Sequence, residues 1–241
     1  MITRLFIIAV IPGIIFSLLV YLTDRYDKEP VKVLIKVFIM GALSVTPTAF
    51  VEKILFSLFS FHSFFKVVFS SFIVAGLTEE YFKREVVIKT VFRKDVFNEK
   101  LDGIIYCIFS ALGFATVENI IYVVFKFSSN YYVGLYRGIF SVPAHLLFAI
   151  TMGYYMSLGK FSSKYKVKKN FMVKSLVVPA VLHGIFDFIL MAQKEFLAVL
   201  FLPFVVYLWL TNLRKLNKYY LESRKDFHKK TNEKVSKGKY R

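Results

Sequence analysis

The chain has 241 residues, 56% of them hydrophobic with 28 Phe, and Lys plus Arg outnumber Asp plus Glu by 33 to 16, a net charge of +17. A soluble domain of this length would have too little polar surface to cover such a composition. The basic excess lies between apolar stretches, as the positive-inside rule requires, so it is read as membrane topology and not as a nucleic-acid surface. Continuous apolar runs exclude a β-barrel. The single Cys107 excludes a disulfide framework.

A helix crosses the hydrocarbon core in about 20 residues. The expected fold is all-α, a polytopic transmembrane helical bundle of about seven spans: Thr3–Leu22, Val33–Phe59, Phe64–Lys83, Leu101–Phe125, Val133–Leu158, Phe171–Met191 and Phe196–Leu213. The first lacks an A-x-A-like cleavage site and is read as an uncleaved helix, not a signal peptide. The second contains Pro47 and the Glu52-Lys53 pair and is expected to kink or end early. Lys and Arg gather around Arg25–Lys32, Arg84–Lys100, Lys160–Lys169 and from Arg214 onward, whereas the loops near His62, Ser128-Ser129-Asn130 and Gln193 are nearly neutral. This alternation places the N-terminus outside a cell membrane, with residues 1–213 as a membrane-embedded domain and 214–241 as a basic cytoplasmic tail. The tail is expected to be solvated or attached to anionic headgroups.

The third span, "AGLTEEYFKREVV", is long enough only if it runs on through Glu79 and Glu80 to about Lys83. The apolar Val86-Val87-Ile88 that follows argues against a helix ending at Thr78. Three later spans also carry groups that lipid rejects: Glu118 and Asn119 in the fourth, His145 in the fifth, His183 and Asp187 in the sixth. Each costs a few kcal/mol at the bilayer centre, so each must face the bundle interior or a wet cavity. The pairs Glu79–Lys83, Glu80–Arg84, Glu118–Tyr122 and His183–Asp187 are i,i+4 neighbours. Singly, each group has a bland reading, such as a structural hydrogen bond or helix glue. Four helices carrying them at similar depth favour a site.

GxSxG, HExxH and GxGD are all absent. Activated-water hydrolysis fits what remains: a buried Glu as general base, with imidazoles stabilising the oxyanion. The same donors allow a Zn²⁺ site whose water is the nucleophile. Proton- or ion-coupled transport uses the same residue types and is the rival class.

Here the sequence resembles a family. "EEYFKR" fits the E-E-x-x-K of PrsW-type membrane proteases and the E-E-x-x-x-R of the wider CAAX-protease/Abi superfamily. "FATVENIIY" matches F-x-x-x-E-N, the His145 helix and "HGIFDF" match the two histidine motifs, and "DRYDKEP" resembles the PrsW loop signature. The wider superfamily has F-x-x-x-H at its second motif, where this chain has Glu118 after Phe114, so the metal-free mechanism of those relatives carries over only in part.

The resemblance implies a membrane endopeptidase acting on a single-pass membrane protein, with first-site cleavage of an anti-sigma factor as the family's activity. It makes Glu79 the general base, held beside a Glu80 kept ionised by Arg84. Glu118 is then the second carboxylate on the water. His145 and His183 polarise the scissile carbonyl, Asp187 fixes the His183 tautomer, and Lys83, Arg84, Asn119 and Tyr122 support. No cofactor is favoured. If the enzyme depends on Zn²⁺, the ligands are His145, His183, Glu79 and Glu118. One tension follows. Topology places Glu79 and Glu80 in the cytoplasmic half, while cleavage is expected on the outer side. Either a wet cavity reaches that depth from outside, or the third helix has another register.

Overall fold

The computed structural model describes residues 2–59, 63–128 and 130–238. His62 and Ser129, two markers of the neutral loops, lie outside the described residues. Among the described residues seven helical segments follow one another: α1 (Ile2–Thr23), α2 (Val31–Leu58), α3 (63–90), α4 (Lys100–Lys126), α5 (131–160), α6 (Tyr165–Met191) and α7 (Glu195–Gly238). Six are long and apolar enough to cross a membrane by length and composition. The exception is α3, which matches them in length, but its second half carries Glu79, Glu80, Lys83, Arg84, Glu85 and Lys89. The chain is a multi-pass membrane helical bundle.

Local sequence accounts for the departures from regular helix. In α2 the break falls at Ser44, between Val31–Leu43 and Val45–Leu58. Pro47 brings no N–H for the Leu43 carbonyl, and its ring would clash there in a continuous helix. Helix α3 does not end at Thr78. It widens into a π-helical stretch over Ser70–Leu77, where the Thr78 hydroxyl donates to the Ile73 carbonyl at 3.0 Å, and then continues as Thr78–Thr90. Two more π-helical stretches close α4 (Ile121–Lys126) and lie within α5 (Arg137–Ser141). Such stretches recur at functional sites because they re-aim side chains, and here all three border the same cavity.

Helix α4 is the central post. Residues from Leu101 to Thr116 are buried on every side, which suits a helix apolar all round. It crosses α5 where Gly103 meets Gly153: a methyl added to Gly153 would lie 2.3 Å from the Gly103 carbonyl oxygen. Helices α3 and α6 cross as closely, a methyl on Gly76 falling 2.6 Å from the Ala180 carbonyl. Small residues let backbones approach where lipid gives no hydrophobic drive. These two crossings bring the acids of α3 and α4 onto the histidines of α5 and α6.

The end that charge assigns to the cytoplasm is tied by a second polar cluster. The DRYDKEP loop folds inward: the Glu29 N–H donates to Asp24 at 2.8 Å and the Tyr106 hydroxyl donates to the Glu29 carboxylate. Asp102, at the start of α4, accepts from the Asn98 and Glu99 N–H groups at 2.7 Å each. Helix α7 continues unbroken past Leu213. Its buried Tyr219 stacks on Tyr154 with centroids 5.0 Å apart, Glu222 pairs with Lys100 at 2.8 Å, and Tyr220 and Phe227 pack on Tyr26. The first turns beyond Arg214 therefore dock on the bundle.

Candidate active site

Lys83 is the hub. It is 1% exposed, and its ammonium donates to Glu79 at 3.0 Å, to Glu80 at 2.8 Å and to His145 Nδ1 at 2.9 Å, while lying 4.3 Å from the centre of the Phe114 ring. An ammonium has no acceptor. Nδ1 of His145 is therefore the lone-pair nitrogen, and Nε2–H donates to Glu118 at 3.0 Å. Glu118 also pairs with Arg137 at 3.0 Å; Arg137 in turn donates to Asn119 at 2.7 Å and lies over the Tyr122 ring. Asn119 donates onward to the Ala9 carbonyl at 3.3 Å, which fixes α1 to the site.

His183 sits at right angles to His145, ring centroids 5.2 Å apart, and stacks on Phe148. Its Nδ1 is 3.0 Å from Glu80 and its Nε2 is 3.5 Å from Asp187. Glu80 is thus the nearer partner of the ring, and Asp187 stands at its other nitrogen. One correction concerns Arg84. It does not reach Glu80: its guanidinium turns to α6, donating to the Ser175 hydroxyl at 2.9 Å and the Met172 carbonyl at 3.1 Å, and pairs with Glu85 at 3.4 Å. Lys83 and His183 hold Glu80 instead.

A cavity of about 820 Å³ opens on this cluster. Glu79, Glu118, His145, His183 and Asp187 line it; Glu80 and Lys83 lie behind the wall. The wall then runs through Ser70 and Val74 to Phe56, Lys126, Tyr136, Met191 and Phe201. These lie toward the helix ends that charge assigns to the outside. The lining thus extends from the acids toward those helix ends.

Two residues of the site escaped the sequence reading. Arg137 locks Glu118, and Glu52 lines the cavity. Both carry the signal that exposed Glu118, a charge inside an apolar span. Glu52 was weighed only as a helix breaker.

The donor set fits a divalent metal. One ligand atom each from Glu79, His145 and His183 lie within 4.8 Å of one another, and all three residues are buried. Each imidazole has a carboxylate close to one nitrogen, Glu118 on His145 and Glu80 on His183, as metal-bound histidines do; the other nitrogens now face Lys83 at 2.9 Å and Asp187 at 3.5 Å, which a metal would displace. Glu80 Oε2 is buried without a hydrogen-bond partner.

The relatives agree with this geometry. A family model described as PrsW family intramembrane metalloprotease matches residues 29–211, a range that holds every group named in the cluster. The chain is 41% identical over 225 residues to a Protease PrsW of Clostridioides difficile, covering 92% of this chain and 94% of that protein. It is 36% identical over 207 residues to a Protease PrsW of Bacillus subtilis, covering 86% and 91%. To one of Oceanobacillus iheyensis it is 35% identical over 207 residues, covering 86% and 92%. No solved structure matches the chain. With a charged cluster on four helices, a cavity leading to it and a family match over most of its length, the chain belongs to the PrsW family of intramembrane metalloproteases.

Proposed function

We propose that the chain hydrolyses a peptide bond of a single-pass membrane protein inside the 820 Å³ cavity, with Glu79, His145 and His183 as metal ligands. The convergence of those three donors on the cavity carries this reading. Zn²⁺ held there would supply a Lewis acid and lower the pKa of its water. The chain's own residues prepare the site. Glu118 fixes His145 through its Nε2–H, Glu80 orients His183, and Arg137 anchors Glu118; a metal on His145 would take Nδ1 in place of the Lys83 ammonium. Apolar walls at Phe114, Phe148 and Phe186 exclude bulk water, which strengthens every charge interaction inside.

A second reading draws on Lys83. An ammonium 3.0 Å from Glu79 and 2.9 Å from His145 is a fixed cation at the centre of the cluster. In that reading Glu79 takes the proton of the attacking water, Glu118 is the second carboxylate on that water, and the imidazoles polarise the scissile carbonyl.

The substrate class proposed is an anti-sigma factor with one span, cut on the outer side, with the enzyme's N-terminus outside and its tail in the cytoplasm. Co-expression tests this. A shortened fragment with wild type and full-length substrate with Glu79→Gln support the reading; identical fragments from both overturn it. In a Cys107→Ser background, cysteines at Ser128 and Ser163 should label from opposite faces, and labelling from one face would overturn the orientation.

A further inference from the structure

Four carboxylates face the cavity: Glu52, Glu79, Glu118 and Asp187. Three have partners on neighbouring atoms. Glu79 is held by Lys83 at 3.0 Å, Glu118 by Arg137 at 3.0 Å, and Asp187 stands 3.5 Å from His183. Glu52, on the second half of α2, has no hydrogen bond or ion pair among the described residues. Its flank of the cavity is Val45, Thr48, Ala49 and Phe56. A carboxylate in an apolar span is costly without a counter-charge, and Glu52 feels the like charges of Glu79 and Glu118 ahead of the opposite charges of Lys83 and His183.

The cations within reach of the cavity are committed elsewhere. Arg137 pairs with Glu118 and Asn119, Lys83 is shared by Glu79, Glu80 and His145, and the exposed Lys126 lies over the Tyr122 ring with no ion pair to Glu52. A substrate that enters the cavity can supply the missing counter-charge. A polypeptide supplies it as a lysine or arginine side chain, whose alkyl stem also suits aromatic walls such as Phe56 and Phe140.

We propose that Glu52 determines specificity: it receives a basic side chain of the substrate lying within a few residues of the scissile bond. The enzyme is therefore selective for single-pass proteins whose cleaved stretch is apolar apart from one lysine or arginine. This rests on the peptidase reading above and adds the chemistry of the substrate to it. Glu52 makes no hydrogen bond or ion pair with the cluster, so its effect is read as a ratio between peptides and not as an absolute rate.

The test uses full-length enzyme in detergent and quenched-fluorescence transmembrane peptides carrying Lys, Gln or Glu in turn at each position flanking the cut. Wild type should cleave the Lys peptide at one such position with kcat/KM about ten- to hundredfold above its Gln counterpart, the range of a charge-assisted bond. The Glu peptide should be cut more slowly still. Glu52→Gln, equal in shape, should bring the Lys-to-Gln ratio of kcat/KM to about one, and Glu52→Lys should favour the Glu peptide. An unchanged preference in Glu52→Gln overturns the proposal, as does an equal slowing of every peptide. Wild type that cleaves none of them, or cleaves them no faster than Glu79→Gln does, overturns the peptidase reading and this proposal with it.

Discussion

Replacing Lys83 by Met removes the ammonium and keeps the bulk of its stem. The structure sets the size of the effect. Lys83 is 1% exposed and serves two carboxylates, Glu79 at 3.0 Å and Glu80 at 2.8 Å. Glu79 faces the cavity and is relieved there by water or a proton, whereas Glu80 is 1% exposed and retains only His183. Removing one partner of a buried ion pair costs about 3–5 kcal/mol, because the other charge stays behind uncompensated. That lowers the melting temperature on the order of 10 °C in a chain of this length. Adding Glu80→Gln to Lys83→Met removes the stranded charge as well and should recover most of the loss, since replacing a whole buried pair is close to neutral. Thermal unfolding of the purified proteins in one detergent is the assay. A Lys83→Met protein that melts with wild type, or a double variant no better than the single one, would refute the ion-pair hub.

Arg84→Gln should cost about 1–3 kcal/mol through its lost bonds to Ser175 and the Met172 carbonyl, while turnover per folded molecule stays at the wild-type level. A fall in kcat without loss of stability would return Arg84 to the site. Gly153→Ala should destabilise by about 1–3 kcal/mol through overpacking against the Gly103 carbonyl, and a melt equal to wild type would show that the α4–α5 crossing can open. Burial pushes the Glu29 carboxyl up from 4.5 to about 7, against the Tyr106 hydrogen bond, which lowers it. The folded chain then holds a proton that the unfolded chain releases between those values. This group's contribution is fully present below 4.5 and is lost as pH rises through 7. Glu29→Gln should therefore raise the melting temperature over wild type at about pH 8 more than at about pH 5; the same increment at both would contradict the buried-carboxyl account.

Much of this was legible in the chain. Apolar length and basic loops gave the seven helices, because both follow from bilayer thickness and charge placement alone. The continuation of α3 through Glu79 and Glu80 followed from length and the apolar Val86-Val87-Ile88. Convergence of the four charged helices followed from the cost of leaving such groups in lipid. The partners were not legible. Glu80 has Lys83 at i+3 and Arg84 at i+4, and spacing alone cannot choose between them. The choice was made by α6, which offers Arg84 the Ser175 hydroxyl and the Met172 carbonyl and offers Glu80 the His183 ring. Docking of the tail was equally hidden, because Tyr219 and Glu222 find Tyr154 and Lys100 only once α4 and α5 stand beside α7.

The metal content of purified protein, read beside its activity, tests the central claim most directly. Wild type should carry one divalent ion per chain, and His145→Ala and His183→Ala should each lose it. Chelation should abolish cleavage of a single-pass substrate, and Zn²⁺ should restore it. Full activity in metal-free wild type would contradict the metal centre and leave Glu79 as the base beside Lys83.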